Sequence, residues 1–170
     1  VFAAIDEMPP VEQGERMDAL LEIVGDAEEQ ETAHRQVVEF LESRELPPCG
    51  YVTAAVEGVY MYGGMRGART LFAWARESVG RPGARYAAIP HAIELRSDFS
   101  REEAEEAGFD LDDAFAPLRG DDPIAALLAV SSLADLHHRG FSAEGWHSKS
   151  NRERALVAEA IRRGASRRKD

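Results

Sequence analysis

Apolar positions along this chain recur at intervals of three and four, the spacing that places side chains on one face of an α-helix. Met17, Leu20, Leu21 and Val24 form a first stripe, after Pro9-Pro10 and before Gly25. Asp26 with Glu29 reads as a capping box opening a second helix. Its apolar face is Ala33, Val37, Val38 and Leu41, and Pro47-Pro48 stops it. Val52, Ala55, Val56, Val59 and Tyr60 make a third stripe, and Leu71, Phe72, Ala75 and Val79 a fourth. Between these two lies Tyr60 to Arg69, reading YMYGGMRGAR, which combines three glycines and two arginines with flanking aromatic residues.

Downstream, RPGAR around Pro82-Gly83 predicts a turn-rich loop. In residues 86–95 the alternation of Ile89, His91, Ile93 and Leu95 admits a short extended segment, while Pro90 is equally suited to opening a helical turn. One short strand cannot form a sheet alone. Capped helices then resume. Ser100 with Glu103 is a capping box closed by Gly108, and Asp110 caps a turn running to Pro117. Asp121-Asp122-Pro123 reads as N-cap and first helical position before Ile124, Leu127, Leu128, Val130, Ser131 and Leu133. Ser150 with Glu153 opens a last helix carrying Leu156, Val157 and Ile161, closed by Gly164. The pattern predicts an all-α, single-domain helical bundle of about five to seven helices over residues 1–164, followed by a basic flexible tail, 165–170.

Charge changes the picture by its placement. The formal net charge of the 170 residues is -11. Residues 1–50 carry 13 acids against 3 bases, and 87–148 carry 13 against 4. Residues 51–86 hold 2 acids and 5 arginines, and 149–170 hold 3 acids and 8 bases. Such an acidic chain repels duplex nucleic acid at long range, so that partner is not expected. Neither is a membrane, since no apolar run approaches the roughly 20 residues of a span. The first ten residues lack the basic region of a secretion signal, and a cytoplasmic setting is the default expectation; the single Cys49, which cannot close an internal disulfide, does not decide the compartment. Alanine, arginine and glycine usage suits a GC-rich bacterial gene.

Three constellations bear on chemistry. The first is YMYGGMRGAR with the arginines beyond it. Glycines let backbone N–H groups approach an anion, a helix N-terminus adds positive potential, and arginines give bidentate bonds. On that reading Arg66, Arg69, Arg76, Arg81 and Arg85 contact an anionic or nucleotide-like ligand, with Tyr60, Tyr62 and Trp74 as a stacking face. The spacing matches neither phosphate-loop nor dinucleotide fingerprints. The favoured reading is a helix break whose arginines pair with the chain's own acids. The second constellation is Glu31-x-x-His34 with Asp135-x-x-His138, which resembles the carboxylate–histidine spacing of di-metal bundles, with Glu22 or Asp18, and Glu57, as further carboxylates. Asp stands where the second Glu belongs, and 31 acids generate such spacings by chance. No cofactor is expected. His137, His138 and His147 are better read as helix C-terminal and loop residues than as a zinc cluster. Cys49, Ser131 and Ser132 lack the surroundings of a nucleophile.

The third constellation is the acidic run 102–115 with Phe99, Phe109, Leu111 and Phe115 as apolar anchors, a combination suited to docking on a protein. The expected function is therefore a non-enzymatic interaction or regulatory protein (an adaptor, inhibitor or accessory subunit) that docks on a basic or amphipathic protein partner. The anion binder at 60–86 and the metal bundle stand as alternatives. Pairing of two copies through Val52, Val56, Tyr60 and Trp74 is left open.

Overall fold

Proline and glycine punctuation divides the chain into the helices seen in the computed structural model, which describes residues 30–43, 46–77 and 82–138 and isolated positions at Pro9, Glu12, Arg16 and Ala158. They are α1 (Gln30–Glu42), α2 (Gly50–Tyr62), α3 (Gly64–Arg76), α4 (Pro82–Leu95), α5 (Arg101–Ala107), a 3-10 helix (Leu111–Leu118) and α6 (Pro123–His138). No strand occurs among the described residues, and the protein is an all-α bundle. The Met17 stripe, the Asp26–Glu29 box, Val79, Arg81 and the Ser150–Glu153 helix lie outside those residues.

Local chemistry explains the boundaries. Ser100 Oγ accepts from the Glu103 N–H at 3.2 Å, while the Glu103 carboxylate accepts from the Ser100 N–H at 2.8 Å, so both halves of the box close at the start of α5. Gly108, with φ 78°, ends that helix. The Asp110 carboxylate accepts from the Asp112 N–H at 2.8 Å and opens the 3-10 helix. Asp122, rather than Asp121, caps α6, accepting from the N–H groups of Ile124 and Ala125 at 3.0 and 3.1 Å.

Two local expectations are corrected in α4. Pro82 opens the helix, where its missing N–H is harmless, instead of forming a loop. Gly83 admits the chain leading into α2: its N–H donates to the Leu46 carbonyl at 3.1 Å, and a Cβ would meet that oxygen at 2.6 Å. Residues 86–95 are helical, not extended. The alternation that suggested a strand also contains pairs four apart. Ile89 and Ile93 are buried with Ala88 and Ala92, and His91 and Leu95 flank them half-buried. Pro90 deprives the Tyr86 carbonyl of its helical donor without ending the helix.

α3 and α4 form the central wall, with core on both sides. On one side Val37, Phe40 and Leu41 of α1 and Val52, Val56 and Val59 of α2 pack with Leu71, Trp74, Ala84 and Ala88. On the other, Phe72, Ile89 and Ile93 meet Phe109, Leu111 and Phe115, and Ala125, Ala129 and Leu133 of α6. Each large buried side chain stabilises the fold by about 1.5–3 kcal/mol relative to exposure. The expected face of α6 is also corrected. Its alanines turn inward against α4, while Ile124 and Leu127 stay 54% and 53% exposed. Apolar residues surround this helix, so spacing alone cannot select a face, and close approach selects the small one. No helix among the described residues is long and apolar enough to cross a membrane.

Candidate functional site

The YMYGGMRGAR segment is helical except at Gly63, where α2 ends and α3 begins. Gly64, at φ 50°, turns the chain through the left-handed region that a side chain resists. A Cβ on Gly63 would lie 2.6 Å from both the Gly67 Cα and the His34 Cε1, and one on Gly67 would collide with the Val59 carbonyl oxygen. The two glycines therefore make room for α2, α3 and the His34 ring of α1 to meet at one corner. Arg66 closes the same corner by donating to Glu31. That hydrogen bond, and then the Arg66 charge, hold the Glu31 carboxyl below its ordinary value. Burial, helped by Arg66, lowers the pKa of His34. The Glu31–His34 pair and the glycine–arginine motif, separate in the sequence, thus engage one another.

The remaining arginines diverge. Arg76 donates to Asp113 of the 3-10 helix at 3.2 Å. Burial raises the pKa of Asp113 even though Arg76 opposes it. Arg85, 6% exposed, donates to Asp122 at 2.5 Å, and the Tyr86 hydroxyl donates to the same oxygen at 3.2 Å. Burial works to raise the Asp122 pKa, but bonds from Ala125, Tyr86 and Ile124 and the Arg85 charge outweigh it and hold the carboxyl low. Arg69 is exposed, with no ion pair among the described residues, and Arg81 lies outside them. The expected arginine set is not gathered at one concavity. Trp74 is buried with its indole N–H unpartnered, and Tyr62 is half-buried against the α1–α2 core.

The other expected sites are placed as follows. Phe109, Leu111 and Phe115 are buried and Phe99 is half-buried against the same core, so these anchors serve the interior. Phe72 stacks on Phe109 at 4.9 Å between centroids, and Phe99 meets Phe109 edge-on at 5.6 Å. Above them a cleft of about 260 Å³ is lined by Arg101, Glu105, Asp110 and Asp112 over Phe109 and Leu111. Asp135 and His138 fall on α6, but their side chains lie outside the description. Among the described residues no three metal-binding side chains gather.

A second cluster was not apparent in the sequence. Tyr60 of α2 stacks on His91 of α4, with centroids 4.6 Å apart and planes 21° apart. Burial, then Glu94 and Asp98, raise the Tyr60 pKa. Burial lowers that of His91, against Glu57 and Glu94. Among the described residues the charges acting on this pair are all negative. Its only sequence signal is a face shared by Glu57, Tyr60 and Met61 on one helix and by His91, Glu94 and Leu95 on another, and nothing local reveals that those faces meet. Comparison with protein-family models, with curated proteins and with solved structures yields no match for this chain.

Proposed function

We propose that this protein is a non-enzymatic interaction module, an adaptor, inhibitor or accessory subunit, that docks its acidic surface on a basic protein partner. The observation that carries this reading is where the arginines of the basic middle segment go. Arg66, Arg76 and Arg85 each engage a carboxylate of the chain itself. Among the described residues Glu57, Glu94 and Asp98, and Glu102, Glu105 and Glu106 on α5, are left without an ion pair. An acidic surface beside which three of the chain's own arginines are already engaged attracts an external cationic one, raising encounter rates and favouring partners of opposite sign.

The alternative of an anionic ligand at 60–86 draws less support, because three of its arginines are engaged at three separate places. The metal alternative is weakened in the same way, since Glu31 is occupied by Arg66. Fluorescence anisotropy of the full chain with a labelled peptide alternating arginine and alanine tests the docking reading. Binding that weakens steeply between 50 and roughly 200 mM salt is expected, because surface charges are screened beyond about 8–10 Å at physiological ionic strength. Equal affinity for an acidic peptide of the same length, or no binding at low salt, would sink it.

A further inference from the structure

The Tyr60–His91 plate differs from the three ion-paired places on the described surface, and from acidic α5 by its pair of stacked rings. At the α1–α3 corner, on the 3-10 helix and at the α6 cap, a carboxylate faces an arginine of the chain. At the plate, Glu94 and Asp98 act on Tyr60, and Glu57 and Glu94 on His91, and none of the three has such a partner among the described residues. Burial, then Glu94, push the Asp98 carboxyl up, as like charges crowded together do. Both rings are half-buried, so part of each still meets solvent. The His91 Nδ1 is buried without a hydrogen-bond partner among the described residues. Met61, one turn beyond Glu57 on α2 and next to Tyr60 in the chain, is 61% exposed.

These groups suit one side-chain chemistry. A guanidinium is planar, weakly hydrated and always charged, so it lies flat on an aromatic ring while its N–H fork faces carboxylates. Its three-carbon stem needs an apolar surface beside the ring, and Met61 supplies one. An ammonium would gain the charge attraction but not the flat stacking. We propose that the Tyr60–His91 plate, with Glu57, Glu94 and Asp98 near it, is the docking point for an arginine side chain presented by a basic segment of a partner protein. This rests on the docking reading above and assigns its location and its preferred residue.

Titration of the full-length protein with the alternating arginine–alanine peptide and with its lysine–alanine counterpart tests it, with the Tyr60 and His91 ring resonances followed by NMR. The arginine peptide is expected to bind several-fold more tightly and to shift both rings. Tyr60→Leu and Glu94→Gln should each weaken it about five- to tenfold. Tyr60→Phe, which keeps the ring, should retain the affinity, and a well-dispersed spectrum of each variant guards against unfolding. If the peptide binds but Tyr60→Leu and Glu94→Gln leave affinity unchanged while the triple change E102Q, E105Q, E106Q abolishes it, docking is on α5 and this assignment is overturned. The docking reading would then survive. If replacing the bases of residues 149–170 by glutamine shifts the two rings and the arginine peptide restores their original positions, the chain's own basic end occupies the plate and the partner assignment fails. Absence of binding by either peptide removes both.

Discussion

At the scale of single residues, the meeting of α1, α2 and α3 depends on two side chains that are missing. Gly67→Ala places a methyl against the Val59 carbonyl, which is backbone and cannot rotate away. A loss of about 1–3 kcal/mol is expected, read from the denaturant midpoint. Gly50→Ala is the control: it opens α2 with nothing within 4 Å of the new Cβ, and a gain of about 0.5–1 kcal/mol is expected. A second prediction concerns pH. Burial lowers the pKa of both His34 and His91 in the folded chain below the ordinary 6.5. The unfolded chain then binds protons more readily, so the stability tied to neutral imidazole is complete above 6.5 and is lost as pH falls through the lower folded values. The unfolding free energy should fall between pH 7 and pH 5, by at most about 1.4 kcal/mol per pH unit for each histidine, and the melting temperature should fall with it. His91→Gln should flatten that slope.

At the scale of elements, the two well-defined caps differ in what depends on them. The box at Ser100 is exposed and local, so Ser100→Ala should cost about 1 kcal/mol, the usual value of an N-cap. Asp122 caps α6 and also neutralises Arg85, whose side chain is 7% exposed. Asp122→Ala removes the cap and strands a buried guanidinium, so a loss of about 3–5 kcal/mol is expected by thermal or denaturant unfolding. Comparable effects of the two substitutions would contradict the view that Asp122 joins α4 to α6. Both cap positions were legible in the sequence, because Ser100 with Glu103, and Asp122 before Pro123, are local signals. That Asp122 also holds Arg85 was not legible, since nothing within either segment says that α4 lies beside the start of α6.

At the scale of the whole molecule, charge excess and ion pairing act against each other. The net charge of -11 repels itself, whereas Arg66 and Glu31, 69% and 73% exposed, form a pair that solvent and salt screen strongly. The larger sum should win. Raising salt from 10 to roughly 150 mM, which shortens the screening length from about 30 to 8 Å, is expected to raise the melting temperature by a few degrees. A fall would mean that the internal pairs outweigh the repulsion.

The helices and most of their ends were determined by the sequence alone, because a capping side chain, a proline or a glycine acts within a few residues of where it stands. Periodicity identified the faces of α1 to α3 for the same local reason. It failed where apolar residues are dense. In α6 packing density put Ala125 and Ala129 inside and left Ile124 and Leu127 out, and in residues 86–95 a helix satisfied a pattern that also suits a strand. Phe99, Phe109, Leu111 and Phe115 read as partner anchors until the fold turned them toward Phe72 and the core. Only the tertiary structure decided which charges meet, since an ion pair joins residues some 35 positions apart, as Arg66 with Glu31, Arg76 with Asp113 and Arg85 with Asp122 do. The same folding brought Tyr60 onto His91 beside Glu57, Glu94 and Asp98, which form no ion pair among the described residues. Local chemistry writes the elements, and long-range packing assigns the partners.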